Sequence, residues 1–250
     1  MDLARRAALA GGDVVRAGVV EAGAVETKGA GDYVTAVDRA SERAIADLLA
    51  AATPDIPMLG EERGGAASER YWVVDPLDGT TNFVHRFPVV GVSVALIEAG
   101  QPVAGCVHAP FLGLTWTGGR GLGARADDGS ALHISTRPPQ TAVVGTGFPF
   151  RRKHLIPRHL AVLEAALERF EDLRRPGAAA LDLAWVAAGV FDGFFELGLS
   201  AWDVAAGGLL IQEAGGLVTD WEGGGEWLGG DILAGPPAVH EILLDIARAG

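Results

Sequence analysis

Apolar and polar positions along the chain change period part-way, and that change organises the molecule. The N-terminal stretch MDLARRAALAGGDVVRAGVVEAG combines an Arg pair and many small residues with Asp13, Arg16 and Glu21, which interrupt any long apolar core. It predicts a surface helix. A second helix is predicted to start near Val37, with Ala40, Ala44, Ile45, Leu48 and Leu49 forming its apolar face. Tyr71, Trp72, Val73 and Val74 read as a buried strand, and from 89 to 135 apolar runs alternate with Gly and Pro breaks. Those runs, VVGVSVALIEAG, QPVAGCVHAP, LTWTGG and ALHIS, have the spacing of an antiparallel meander.

Around 137–140, at the Pro138-Pro139 pair, the pattern shifts to alternating strands and helices. TAVVGTG, LRRPG and GFFELGL alternate with helices predicted at about 155–170 and 180–190. A helix over AWDVAAGGLLIQEAGG, closed by Gly215-Gly216, precedes strands LVTDW and DILAG and a terminal helix at 239–249. This divides the chain into a mixed α+β half, 1–137, and an α/β half, 138–250.

Composition narrows the function classes. With 250 residues and 49% hydrophobic content the chain can bury a large core. A net charge of -12 disfavours a broad basic face for nucleic acid, yet allows small phosphorylated ligands where divalent metals neutralise local charge. The single cysteine, Cys106, cannot form an intramolecular disulfide. The most apolar later stretch, 89–97, falls short of the ~18 residues a bilayer span needs. The expectation is a soluble cytoplasmic protein with neither nucleic acid nor membrane as a direct partner.

The candidate chemistry centres on YWVVDPLDGTTNFVHRFP, 71–88, where a strand delivers Asp75 and Asp78 into a turn with Pro76 and Gly79. Gly79, Thr80 and Thr81 suit a helix start whose amides face an anion. Alone, Asp-Pro-x-Asp-Gly also reads as a surface turn. Other acids carry the same ambiguity. Asp38 is a helix-dipole acid or a site acid, and Asp203 an N-cap or a site acid. Glu61-Glu62 is a solvated pair or is brought near Asp75 by the strand that follows. Glu196 is an edge-strand charge or lines a pocket. His85 reads as a loop or packing residue, and His154 and His159 as residues of a surface helix. Arg151, Arg152 and Lys153 read as a solvated run or an entrance for anions.

Four segments in order, KGAGDYVTAVD (28–38), GEE (60–62), DPLDGTTN (75–82) and WDVAAGGLLIQEAGG (202–216), resemble the inositol monophosphatase family, its bacterial branch above all. The likeness extends to GTGFPF (145–150) and RRPGAAALDLAWVAAG (174–189). It implies an α/β (mixed α+β) five-layer αβαβα sandwich of the inositol monophosphatase and sugar phosphatase type, with a metal site between the halves. It further implies two to three Mg²⁺ ions. Glu61, Asp75 and the Leu77 carbonyl would hold the first, and Asp75, Asp78 and Asp203 the second, with a third near Glu61. A metal-activated water, prepared by Thr80 with Asp38 or by Glu61, would attack phosphorus in line.

Asp78, Gly79, Thr80, Gly177, Ala179, Glu196 and Asp203 would contact substrate, and Lys28 would stand near the metals. Relatives often carry a small hydroxyl residue where this chain has Ala178. The implied activity is Mg²⁺-dependent, lithium-sensitive hydrolysis of myo-inositol monophosphates and related polyol phosphates by a homodimer. Related phosphatases of histidinol phosphate, fructose 1,6-bisphosphate or 3′-phosphoadenosine 5′-phosphate are alternatives. Thr81-Asn82-Phe83 with His85-Arg86-Phe87-Pro88 resembles the inositol branch more closely than the histidinol or nucleotide branches. From other classes come a protein-binding role in a transcription antitermination complex and a Ca²⁺-stabilised turn at 75–79.

Overall fold

The computed structural model describes residues 1–18, 26–29 and 32–249, with the backbone alone at 26–29 and 32–34. Helix α1 (Asp2–Gly18) has Asp2 in its first turn and Arg16 in its last, matching the helix dipole. It buries Ala4, Ala7, Ala8, Gly11, Gly12 and Val15, residues small enough to bring its axis close to its neighbours. Strands β1 (Glu26–Gly29) and β2 (Asp32–Val34) pair antiparallel and lead into α2 (Ala36–Ala52), whose N-cap is Thr35.

Strands β3 (Met58–Gly60) and β4 (Arg70–Asp78) are followed by the short helix α3 (Thr80–Val84). Next come β5 (Gly91–Glu98), β6 (Gln101–Ala109), β7 (Leu114–Gly119) and β8 (Gly123–Ala126). These strands form a six-stranded sheet in chain order, antiparallel except for the parallel β3–β4 pair. The meander is therefore as expected, with one correction. ALHIS adds no strand: Ala131 makes a single bridge to Arg125, and Ile134 donates its amide to the Ala214 carbonyl at 3.3 Å. The chain leaves the sheet edge there to cross to the second half.

The second half contains β9 (Val143–Thr146), α4 (Ile156–Arg169), β10 (Asp172–Arg174), α5 (Ala179–Ala187), β11 (Gly193–Glu196) and α6 (Ala201–Glu213). It closes with β12 (Leu217–Thr219), β13 (Ile232–Gly235) and α7 (Pro237–Ala249). The five-stranded sheet runs β10-β9-β11-β13-β12, parallel at β10, β9 and β11 and antiparallel at β13.

Helices α1 and α2 cover one face of the large sheet, while α5 and α6 fill the space between the two sheets. Helices α4 and α7 cover the far side of the small sheet, which completes five αβαβα layers. The central pair is apolar almost all round, as a doubly covered layer requires: Leu181, Leu183, Ala206 and Leu210 share one core with Val73 and Val107. Among the described residues, no helix is long and apolar enough to cross a membrane.

The middle layer is thin because its contacts are small. A Cβ on Gly207 of α6 would lie 2.5 Å from Leu183 Cβ of α5. Gly207→Ala should force these helices apart and cost about 1–3 kcal/mol, read as a lower urea midpoint at unchanged slope. An unchanged midpoint would contradict this packing.

Candidate active site

The site begins where the β4 ladder breaks. Asp75 pairs with Ser93 and Asp78 with Gly91, but the register shifts between them because Pro76 has no N–H to contribute. Within that break the Leu77 amide donates to Asp75 Oδ1 at 2.9 Å. Gly79 then adopts φ 86°, and a Cβ there would sit 3.0 Å from the Val89 carbonyl oxygen, so only glycine turns the chain into α3 without strain.

Asp78 reaches across to the other half. Its Oδ2 accepts the Ala180 amide at 2.7 Å in the first turn of α5, whose N-cap residue, Ala178, has no side-chain oxygen. Asp78 thus caps a helix that its own sequence leaves uncapped. Asp203 stands in the first turn of α6 and is not its N-cap, which is Ser200; its Oδ2 accepts the Ser200 amide at 2.7 Å. Asp75, Asp78 and Asp203 bring one oxygen each within 4.8 Å of one another.

Glu61 joins them from the turn after β3, its amide donating to the Val74 carbonyl at 3.2 Å. Arg151 lies 3.6 Å from Glu61, so at least this member of the basic run faces the acids. Thr80 Oγ1 stands 3.0 Å from Asp38 Oδ1 and 3.1 Å from the Leu77 carbonyl. The other Asp38 oxygen accepts from the Thr35 amide and hydroxyl at 2.8 and 2.5 Å. Asp38 is buried behind Thr80 and reaches the cavity only through it.

A cavity of about 560 Å³ opens above these groups. Glu61, Asp75, Leu77, Asp78, Gly79, Thr80, Gly177, Ala179, Glu196 and Asp203 all line it. The side chain of Lys28 lies outside the described residues. Glu196 is no edge-strand charge: β11 is the middle strand of its sheet, the residue is buried, and a Cβ on Gly147 would overlap its carboxylate. His85 is exposed at the end of α3.

His159 corrects the expectation of a surface residue. It is buried on the inner face of α4, 5.5 Å from the Phe148 ring and 5.8 Å from the Phe195 ring, because that face packs on the small sheet. Sequence reading also missed Arg175, which lines the cavity and stacks over Phe148 and Phe150, each at 5.4 Å. It missed Asp182 as well, buried beneath the loop at Gly177. A stacked arginine and a buried helix acid leave no spacing signal.

The family model described as the inositol monophosphatase family matches residues 1–249. The chain belongs to the inositol monophosphatase family. It is 42% identical over 250 residues to Nus factor SuhB of Pasteurella multocida, with 97% of this chain and 94% of that protein covered. It is 38% identical over 253 residues to a fructose-1,6-bisphosphatase/inositol-1-monophosphatase of Aquifex aeolicus, covering 99% and 95% respectively. The crystal structure of extragenic suppressor protein suhB from Bartonella henselae superposes with a TM-score of 0.94 at 37% identity, covering 100% of this chain and 98% of that one. The resemblance in the motifs and the five-layer fold are thus those of an inositol monophosphatase family member.

Within this family member, the acids create a charge problem of their own. Burial, then Glu61, Asp78 and Asp203, push Asp75 well above the ordinary carboxylate range. Burial pushes Asp78 up to about 6 against the pull of the Ala180 amide, and burial with Asp78 pushes Asp203 up to about 7. Glu196 and Asp182 are also raised, each by burial first. Carboxylate oxygens that are enclosed, close together and mutually repelling are the donor set a hard divalent cation takes, so these residues fit a metal.

That chemistry gives stability a definite pH sign. In metal-free protein, Asp78 and Asp203 keep protons that the unfolded chain, with carboxylates near 3.8, has released. Stability is therefore fully present below about pH 4 as far as these groups are concerned, and is lost as pH rises through about 6 to 7. In chelator, the thermal midpoint should fall across that window, and added Mg²⁺ should flatten the dependence. A midpoint that rises with pH there would contradict the electrostatics.

Proposed function

We propose that the protein is a Mg²⁺-dependent phosphomonoesterase that hydrolyses myo-inositol monophosphates and related polyol phosphates. One observation carries the reading: Asp75, Asp78 and Asp203 converge, with Glu61 beside them, on the floor of a cavity walled by Glu196 and arginines. Glu61, Asp75, the Leu77 carbonyl, Asp78 and Asp203 would hold two to three ions, with Lys28 near them. Bound Mg²⁺ supplies Lewis-acid charge to the phosphoryl group and to the departing oxygen.

The chain's own residues do the rest. Thr80 Oγ1 donates to Asp38 Oδ1, which leaves its lone pairs to orient a water and take its proton as the hydroxyl proton passes to Asp38. Burial raises Asp38 above its ordinary range, which makes it a better acceptor than a solvated aspartate. Glu61 is the other candidate to hold that proton. The amides of Gly79 and Thr80 bind phosphate oxygens, Gly177 and Ala179 bound the pocket, and Glu196 accepts from polyol hydroxyls. In this reading 1–137 supplies most metal ligands and 138–250 supplies Asp203 and the polyol wall, in a lithium-sensitive cytoplasmic homodimer.

The names of two relatives support neighbouring readings. The Aquifex relative's name includes fructose-1,6-bisphosphatase, which makes a sugar bisphosphate the first competitor substrate. The Pasteurella relative is named a Nus factor, which favours a second role, docking to proteins of a transcription complex.

The decisive assay is phosphate release from inositol 1-phosphate, fructose 1,6-bisphosphate, histidinol phosphate and 3′-phosphoadenosine 5′-phosphate, with and without Mg²⁺. The expected result is preference for inositol 1-phosphate, silence in chelator, and a loss on the order of 10²-fold or more in Asp203→Asn, which keeps an oxygen for the Ser200 amide. Metal-independent turnover, or preference for another substrate, would remove the assignment. A cellular role that survives in an inactive Asp203→Asn strain would make the docking role primary.

A further inference from the structure

Helix α2 carries three polar side chains on its buried face within little more than one turn, Asp38, Ser41 and Glu42. Each grips a different piece of the site. Asp38 holds Thr80, Ser41 donates to the Pro76 carbonyl at 2.8 Å, and Glu42 Oε1 accepts the amides of Glu62 and Arg63 at 3.1 and 3.2 Å. The first two contacts set α3 and the end of β4. The third sets the turn that carries Glu61.

Glu42 is costly to keep there. It is 1% exposed, and its Oε2 is buried with no hydrogen-bond partner among the described residues. A buried acid on a helix is ordinarily tolerated for its own ion pair or network, and here both of its hydrogen bonds go to one turn some twenty residues on. That turn is otherwise closed by Gly60 and Gly64, which exchange both backbone hydrogen bonds at 3.0 Å. Gly60 also makes the contact with α2 possible, since a Cβ at that position would overlap Glu42 Oε1. Gly60 has no positive φ, so its lack of a side chain is required by the carboxylate and not by the backbone.

We infer that Glu42 is a positioning residue that, seated on Gly60, fixes the 60–64 turn and thereby aims Glu61 at the Asp75, Asp78 and Asp203 cluster. Glu42 does not line the cavity. The inference rests on the metal-site reading only for what Glu61 does once aimed. The hold on the turn is independent of it.

The test uses full-length Glu42→Ala, Glu42→Gln, Gly60→Ala and the Glu42→Ala/Gly60→Ala double variant. Two readouts are taken, hydrogen exchange at the Glu62 and Arg63 amides without metal and Mg²⁺ affinity by calorimetry. Glu42→Ala and Gly60→Ala should each speed exchange at those amides and weaken Mg²⁺ binding by about tenfold or more. Glu42→Gln, which keeps an acceptor oxygen, should stay near the wild type, and the double variant should be no worse than Glu42→Ala. Gly60→Ala keeps the experiment decisive if Glu42→Ala does not fold, because it displaces the carboxylate without deleting it. Variants with a lower Tm but unchanged exchange at the two amides and unchanged Mg²⁺ affinity would show a merely structural residue and overturn the inference. If the wild type takes up no Mg²⁺, the metal-site reading fails, and the exchange rates alone decide whether Glu42 holds the turn.

Discussion

The site depends on one recurring interaction, a buried or half-buried carboxylate that gives one oxygen to a backbone amide. Asp75 takes the Leu77 amide, Asp78 the Ala180 amide, Asp203 the Ser200 amide, and Asp38 the Thr35 amide. An amide dipole is a fixed partial charge that cannot neutralise the acid but can hold it in one orientation. Orientation is thus set by backbone, while the charge is left for something else to balance. Burial and mutual repulsion raise the pKa values of Asp75, Asp78 and Asp203 although the amides pull each of them down.

One of these contacts also ties the molecule together. Asp78 ends the long strand of the large sheet, and Ala180 opens a helix of the layer between the sheets. Because Ala178 has no hydroxyl to cap α5, the cap must come from Asp78, and the helix is thereby keyed to the site. The start of that helix borders the cavity through Ala179, with Gly177 just before its cap, so the cavity wall and the acid floor share a reference point. Packing of α5 and α6 against both sheets makes that reference rigid.

Much of this was legible in the sequence, and the limits are physical. β-branched and aromatic residues followed by Asp-Pro-Leu-Asp-Gly mark a strand that stops and presents acids, and β4 does so. The helix starts near Asp38 and Asp203 were readable from apolar periodicity, although Asp203 proved to be a first-turn acid behind the Ser200 cap. ALHIS has a strand's composition, but composition does not say whether a ladder position is free, and at that sheet edge the chain departs. His159, Asp182 and Arg175 were misread or missed for a common reason. Their roles come from what the second half stacks against them, and neither ring stacking nor helix burial has a sequence period. Gly60 and Gly147 were legible only as members of the GEE and GTGFPF segments, whereas each leaves room for a carboxylate, of Glu42 and Glu196 respectively.

If the amide-anchored acids form a metal site at the floor of the cavity, ions must be found among them. The most direct measurement is an anomalous difference map from crystals soaked in Mn²⁺, which takes the same oxygen ligands as Mg²⁺ and scatters strongly enough to locate. Peaks are expected in contact with Asp75, Asp78 and Asp203, with Glu61 on the neighbouring ion. Strong peaks elsewhere on the acidic surface, with none among these four carboxylates, would contradict that site.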